Sequence, residues 1–539
     1  MRIFKYSHLF VCAVVIAIGS LHLSASGTTF YVAQSAGTFS GGTACNGQAA
    51  ESIATFNAGT EAAGNTYYFC GTITTTVNIH GSGNSSSPIT FKWDTGSRIS
   101  QPVAQAINLN GSSSFLLFDG GTPCGPGTSC DTAEQANMTG YVSGQTGIIE
   151  ATANGSGLAN QSFTSQAFIN CNGCHDIEIR NLIIRNLYQH TSMTDTTMSI
   201  DAYAFTFECL IGSGCGTGPI SIHDSTIHDN GNAIDLDRTV DSTINIYNND
   251  FYRNNWAIGN SGNGTRTVNI HDNHIHDASN WDTSNDFFHH NGLHNFMNVA
   301  TDSLALNFYN NLIDGNWGNC CTTATSLFTE VDSPNNFNVF NNVTIQYPGN
   351  LAPAYDYQAT GGVFANNTSI GVATTPSNTN AVQIYAATTG VAFENNVIQG
   401  YGQYLYIQAG ASFTTFDYNT YGPKGESGTN AWQTGSSGSS SFSGWQKVCS
   451  CDSHGQYNAS LNVSSLGAPA SGSVVLGAGT NLTDLQITAL NSATSAGDTL
   501  SLVTRPASGA WAAGAYQLGG SGPNPPVGVT SSAAVAGSN

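Results

Sequence analysis

Basic residues are scarce. Twelve Lys and Arg face 33 Asp and Glu in 539 residues, a formal charge of −21. A nucleic-acid partner needs a basic surface, so DNA and RNA are poor partners for this chain. A polyanion such as a uronate polymer would also be repelled, unless cations bridge it or arginines gather locally. Charged residues of both signs reach only 8%. Long helical periodicity is missing, and after the first two dozen residues no apolar run is long enough to cross a bilayer. Neither a helical bundle nor a membrane protein fits these absences.

What is present starts with an export signature. MRIFKYSH carries Arg2 and Lys5, LFVCAVVIAIG is a short apolar run, and SLHLSASG offers small residues for cleavage near Ser26. Residues 1–26 therefore read as a secretory signal peptide. A lipoprotein would need small residues before Cys12, where Phe10 and Val11 stand. The mature chain is expected to be soluble and extracellular, and more acidic by the two lost cations. Losing Cys12 from the 13 cysteines leaves an even number, which suggests disulfides in an exported chain. Near neighbours predict local staples: Cys124 with Cys130, Cys171 with Cys174, Cys209 with Cys215, Cys449 with Cys451, and adjacent Cys320 and Cys321. The CNGC at 171–174 could be half a zinc or redox site, but no second CxxC completes it.

Self-similarity is the stronger signal. ISIHDSTIHDN (220–230), INIYNNDFYRN (244–254), VNIHDNHIHDA (268–278) and LNFYNNLIDGN (306–316) align, as do FNVFNNVTI, GVFANNTSI and VAFENNVIQ further on. The anchors Asn181, Asp224, Asn248, Asp272, Asn310, Asn341, Asn366 and Asn395 are separated by 43, 24, 24, 38, 31, 25 and 29 residues. A repeat of this length with short strands is a solenoid whose coils bury apolar positions against one another. The anchors are expected to stack at one turn as an internal ladder of hydrogen-bonded amides.

This pattern resembles the right-handed parallel β-helix proteins of the pectin-lyase-like superfamily. The resemblance spans most of residues 28–520, including TTFYVAQSAGTFSGGTAC, and it is one of architecture. It implies an all-β, right-handed parallel β-helix. Residues 27–520 then form a single domain, with 27–110 as the N-terminal cap and first coils and 177–420 as the clearest repeats. WQKVCSCDSHG and AAGAYQLG resemble the C-terminal portions of such proteins. The Gly/Ser/Pro-rich residues 521–539 form a tail. No GHG tripeptide or adjacent Asp pair of polygalacturonase type is matched at the candidate site.

The chemistry is expected on one outward row. NAIDLD (232–237), WAIGN (256–260) and NGLHNF (291–296) stack, with Ile234 and Leu236 inward and Asp235 and Asp237 outward. Carboxylates at i and i+2 of a strand lie ~6.5–7 Å apart, which suits an inverting acid–base pair. His294 falls on the row of Asp235, with Gly259 between them leaving an open notch. The step from Asp272 to Asn310 is 14 residues longer than a coil, an inserted loop carrying Trp281, Asp282, Asp286, Phe287, Phe288, His289 and His290. Asp235, Asp237, His294 and His290 are the catalytic candidates. Arg238, His289, Trp281, Asp286 and Glu330 are the substrate-binding candidates. A metal held by His289, His290 or His294 with Asp282 or Asp286 lacks any specific spacing, so no metal site is assigned. His271, His274 and His276 follow the repeat and are expected to decorate a face, while Asp229 should lie on another turn.

These residues point to a secreted polysaccharide-degrading enzyme, a glycoside hydrolase before a lyase. A hydrolase needs the carboxylate pair and no cofactor. A uronate lyase of pectate-lyase type would need a base and a charge neutraliser, with Ca²⁺ or Arg238, Arg253 and Arg266 in that role. A non-catalytic, adhesin-like glycan-binding β-helix is the other class. The expected partner is a polysaccharide, and the protein is expected to be a monomer.

Overall fold

The apolar-x-apolar motif becomes strand wherever it recurs, because alternate residues of a strand face opposite sides. In the computed structural model Ile222, Ile246, Ile270 and Phe308 pair in register down one sheet, and Ile220, Ile244, Val268 and Leu306 pair two residues earlier. The structure describes residues 27–518 except 103–104, 112, 137–146, 153–165, 172, 188–202, 207–217, 237–242, 261–265, 279–289, 296–303, 318–324, 330–335, 347–351, 372–379, 425–429 and 496–497. The proposed signal peptide and the whole of the proposed tail lie outside them.

Each coil crosses three sheets in turn. Thr243–Tyr247, Asp250–Tyr252 and Trp256–Asn260 make one coil, and Arg266–His271, His274–His276 and Asn291–Asn295 make the next. The first sheet has 15 strands and the second and third have 13 each, ordered coil by coil. The chain is a right-handed parallel β-helix. Its core is a column of apolar side chains: Ile227, Phe251, Ile275 and Ile313 from the second sheet meet Ile234, Ile258, Leu293 and Leu327 from the third. Helix α1 (Ile53–Asn57) plugs one end, its Phe56 set edge-on to Tyr67, Phe69 and Phe91. Helix α2 (Ser129–Ala136) lies on an outer face. Near the other end Trp445 of helix α3 (Phe442–Cys449) is buried against Phe416. No helix among the described residues is long and apolar enough to cross a membrane.

The corner between the first and second sheets corrects one expectation. The anchor residues Asn181, Asp224, Asn248, Asp272, Asn310, Asn341, Asn366 and Asn395 all have φ between 53° and 60°. They make the left-handed bend, which Asn and Asp tolerate best after glycine. The internal ladder runs one residue later, through Asn249, Asn273, Asn311, Asn342, Asn367, Asn396 and Asn419. Each Nδ2 donates to the Oδ1 of the next coil at 3.0–3.3 Å. Each also donates to a strand carbonyl of the preceding coil. These amides are buried and fully paired, as a dry corner requires.

Three predicted staples form: Cys124–Cys130, Cys171–Cys174 and Cys449–Cys451. Cys45–Cys70, 25 residues apart, joins the first coils and was not foreseen. The 209/215 and 320/321 pairs fall outside the described residues. After Leu461 the chain turns back along the solenoid. Its Trp511, Leu482 and Leu490 pack on Phe340, Val363 and Ala392.

Candidate functional site

Three coils of the third sheet bring Asp235, Gly259 and His294 into register, as the sequence predicts. The row continues through Phe328 to Asp356. The open notch is absent. A Cβ on Gly259 would meet the indole of Trp256 at 3.1 Å and Asp235 Oδ1 at 3.4 Å, so the ring of Trp256 occupies the gap that glycine leaves. That indole stands edge-on to His294 at 4.2 Å between centroids, and Phe328 flanks the imidazole from the other side at 5.2 Å. Although the row faces away from the core, Asp235 is only 6% exposed and His294 only 3%. A carboxylate and an imidazole therefore share a desolvated strip with two aromatic rings.

Asp356 is the residue that sequence reasoning missed. Burial pushes its carboxyl up to about 7, against a smaller opposing effect from Tyr385. A neutral carboxylic acid near pH 7 is the property a general acid needs. Extending the alignment of row positions from His294 to YDYQ would have found it.

The other candidates scatter. His290 is buried at the corner before its strand, where Nδ1 lies 3.2 Å from the Trp317 carbonyl. Four residue steps separate it from His294, ~13 Å along an extended chain. Asp237, Arg238, Trp281, Asp282, Asp286, His289 and Glu330 lie outside the described residues. Arg253, a candidate neutraliser, is committed to Asp229 through its guanidinium.

Much of the ionisable chemistry stands on the second sheet. Glu150, Arg185, His228, Tyr252, His276 and Asp314 follow one another in register on its outer face. Helix α2 lies over them, and its buried Glu134 pairs with Arg185 and sits 3.0 Å from His228 Nε2. Asp131 of the same helix is pushed up to about 8 by burial and by the charge of Asp250. Asp229 stands at a corner, φ 52°, and not on the strand of Asp235. It is 1% exposed, and despite burial its partners Arg253 and His228 hold its carboxyl down at about 2.

The template histidines also need dividing. His271 does decorate a face, stacked between Tyr247 and Tyr309 at 5.2 and 4.7 Å. His274 and His276 do not. They converge with Asp250 of the preceding coil, with one ligand-type atom of each residue within 4.8 Å of the others. Burial lowers both imidazoles, yet the surrounding carboxylates win: His274 is held up at about 9 and His276 well above its ordinary value. The signal was legible as His-x-His on one strand face with an acid one coil earlier.

No family model matches the chain, and no curated protein sequence matches it. Among solved structures the chain is similar to pectate lyase Pel9A, at 14% identity over 85% of this chain and 93% of that one, with a TM-score of 0.34.

Proposed function

We propose that this chain is an exported carbohydrate-active β-helix protein that cleaves a polysaccharide along the third sheet, as a glycoside hydrolase in preference to a uronate lyase. The observation that carries the reading is the register row Asp235, His294 and Asp356, with Trp256 and Phe328 between its polar members. Aromatic rings beside carboxylates suit a sugar, which offers apolar ring faces and hydroxyl edges. Asp235 with Asp237 is the proposed acid–base pair, and His294 positions the substrate or assists the base. Asp356, four coil steps or ~19 Å from Asp235, is too distant to share one scissile bond with it. It is the alternative acid, acting with His294. Among the described residues the third sheet contains no Lys or Arg, so a lyase there would depend on Ca²⁺ or on Arg238 to neutralise a uronate.

The test is a product assay of the purified protein on a polysaccharide panel. New reducing ends without an unsaturated uronate chromophore are expected. That chromophore would establish elimination, and neither product would leave glycan binding as the function. On the substrate found, Asp235→Asn should lower turnover ~10²–10⁴-fold. Full activity in both Asp235→Asn and Asp356→Asn would remove the row from the mechanism.

A further inference from the structure

We propose that Asp250, His274 and His276 form a binding site for one divalent first-row transition ion of the zinc class, on the second sheet and apart from the proposed saccharide row. His274 Nδ1 and His276 Nε2 each lie 3.2 Å from the same atom, Asp250 Oδ1. Ligands 2.0–2.1 Å from a tetrahedral ion sit about 3.3–3.4 Å from one another, so both nitrogen–oxygen spacings suit a coordination shell, and all three ligand-type atoms lie within 4.8 Å of one another. Asp250 is fully buried, and its Oδ1 takes part in no well-formed hydrogen bond although both ring nitrogens are close. An ion at the centre of the three atoms would satisfy that oxygen.

The outer partners have the arrangement that metal-bound histidines need. His276 Nδ1 is 2.7 Å from Asp277 Oδ2, and His274 Nε2 is 2.9 Å from Asp314 Oδ1. Each imidazole can donate its N–H to a carboxylate and turn its other nitrogen, as a lone pair, towards Asp250. Gln135 of α2 donates to Asp250 Oδ2 at 2.9 Å and fixes the carboxylate from above. Two nitrogens among three donors favour a borderline ion over Ca²⁺, which takes six to eight oxygens. The ligands come from adjacent coils and Asp314 from a third, so a bound ion ties three coils together.

The competing state is two protons on the imidazoles with no metal. Chelator-stripped protein titrated with Co²⁺ alone distinguishes the two by calorimetry, visible absorption and melting temperature. One equivalent of bound Co²⁺ with tetrahedral d–d bands and a raised melting temperature is expected, and Ca²⁺ should compete poorly. Asp277→Asn keeps the left-handed corner residue and the oxygen that accepts from Asn316, so it should fold, yet bind about 10–100-fold more weakly. His271→Ala should bind as the unchanged protein does. Absence of Co²⁺ binding to the stripped, folded protein would overturn the proposal. So would unaltered affinity in Asp277→Asn together with unaltered affinity in His276→Ala.

Discussion

Asp452 shows how much one atom's position decides at a dry corner. It closes the amide ladder, accepting from the Asn419 backbone and side chain at 3.1 and 3.3 Å, and it lies 2.9 Å from the Tyr421 hydroxyl. Burial pushes its carboxyl up to about 7, opposed by the Asn419 and Tyr421 hydrogen bonds. A raised acid pKa means that the neutral form belongs to the folded state. Its stabilising effect is complete below the ordinary value of 3.8 and is lost as pH rises through about 7. Asp356 and Glu394, also held up at about 7, act in the same direction. Asp452→Asn keeps the acceptor for Asn419 and still has a partner in Tyr421. It should raise stability at pH 8 by about 2–4 kcal/mol and change it little at pH 4, measured by urea denaturation at both values. Equal shifts at both pH values would refute the titration of Asp452. Sequence reasoning found the corner but chose the wrong residue of each pair. Asn310–Asn311 and Asn341–Asn342 repeat together, so periodicity marks both. Only the backbone shows which one bends and which one points inward.

At the scale of an element, α2 is held by polar contacts rather than by an apolar stripe. Its buried residues are Cys130, Asp131 and Glu134, and these face Arg185, His228 and Thr226. A helix that buries carboxylates has no hydrophobic period to detect, which is why no helix was expected between the early coils. The strands are the opposite case, because their alternation is the repeat itself. Arg185 holds the arrangement together, joined to Glu134 and, at 2.8 Å, to Glu150. Arg185→Ala would leave two buried carboxylates without the guanidinium that joins them, Glu150 keeping Arg98 at 3.2 Å and Glu134 keeping His228 at 3.0 Å. It should cost about 3–5 kcal/mol in chemical denaturation, whereas Arg185→Met paired with Glu134→Gln should recover much of that loss. A cost below ~1 kcal/mol for the single change would show that the network relaxes freely.

Over the whole molecule the coils form a line, and the C-terminal segment returns along it. Asn341 Nδ2 donates to the Ser492 carbonyl at 2.7 Å, Asn395 exchanges hydrogen bonds with Thr480, and Arg505 is buried against Trp511 and Asn341. Removing residues 462–518 would bare Phe340, Val363 and Ala392 and leave those contacts unmade. Neighbour-only coupling predicts a local result. Amide exchange should quicken across 337–399 and stay slow across 89–119. Uniform loss of protection would mean that the solenoid unfolds as one unit. The repeat made the fold legible, since each coil restates the same pattern. The candidate site was half legible: the register of Asp235 with His294 follows from counting coils. The filling of the Gly259 gap by Trp256 depends on a side-chain direction that no spacing encodes.

The amide ladder also has a direction. Every Nδ2 from Asn249 onward gives one hydrogen to the later coil's side chain, so along the line of side chains the donors face forward and the acceptors behind. Such a line accepts a spliced unit anywhere along its length, provided the unit brings one asparagine in phase. At its forward end it needs a terminator that receives a donor and passes none to a further coil. Asp452 stands at that end, its Oδ1 receiving the Asn419 donor.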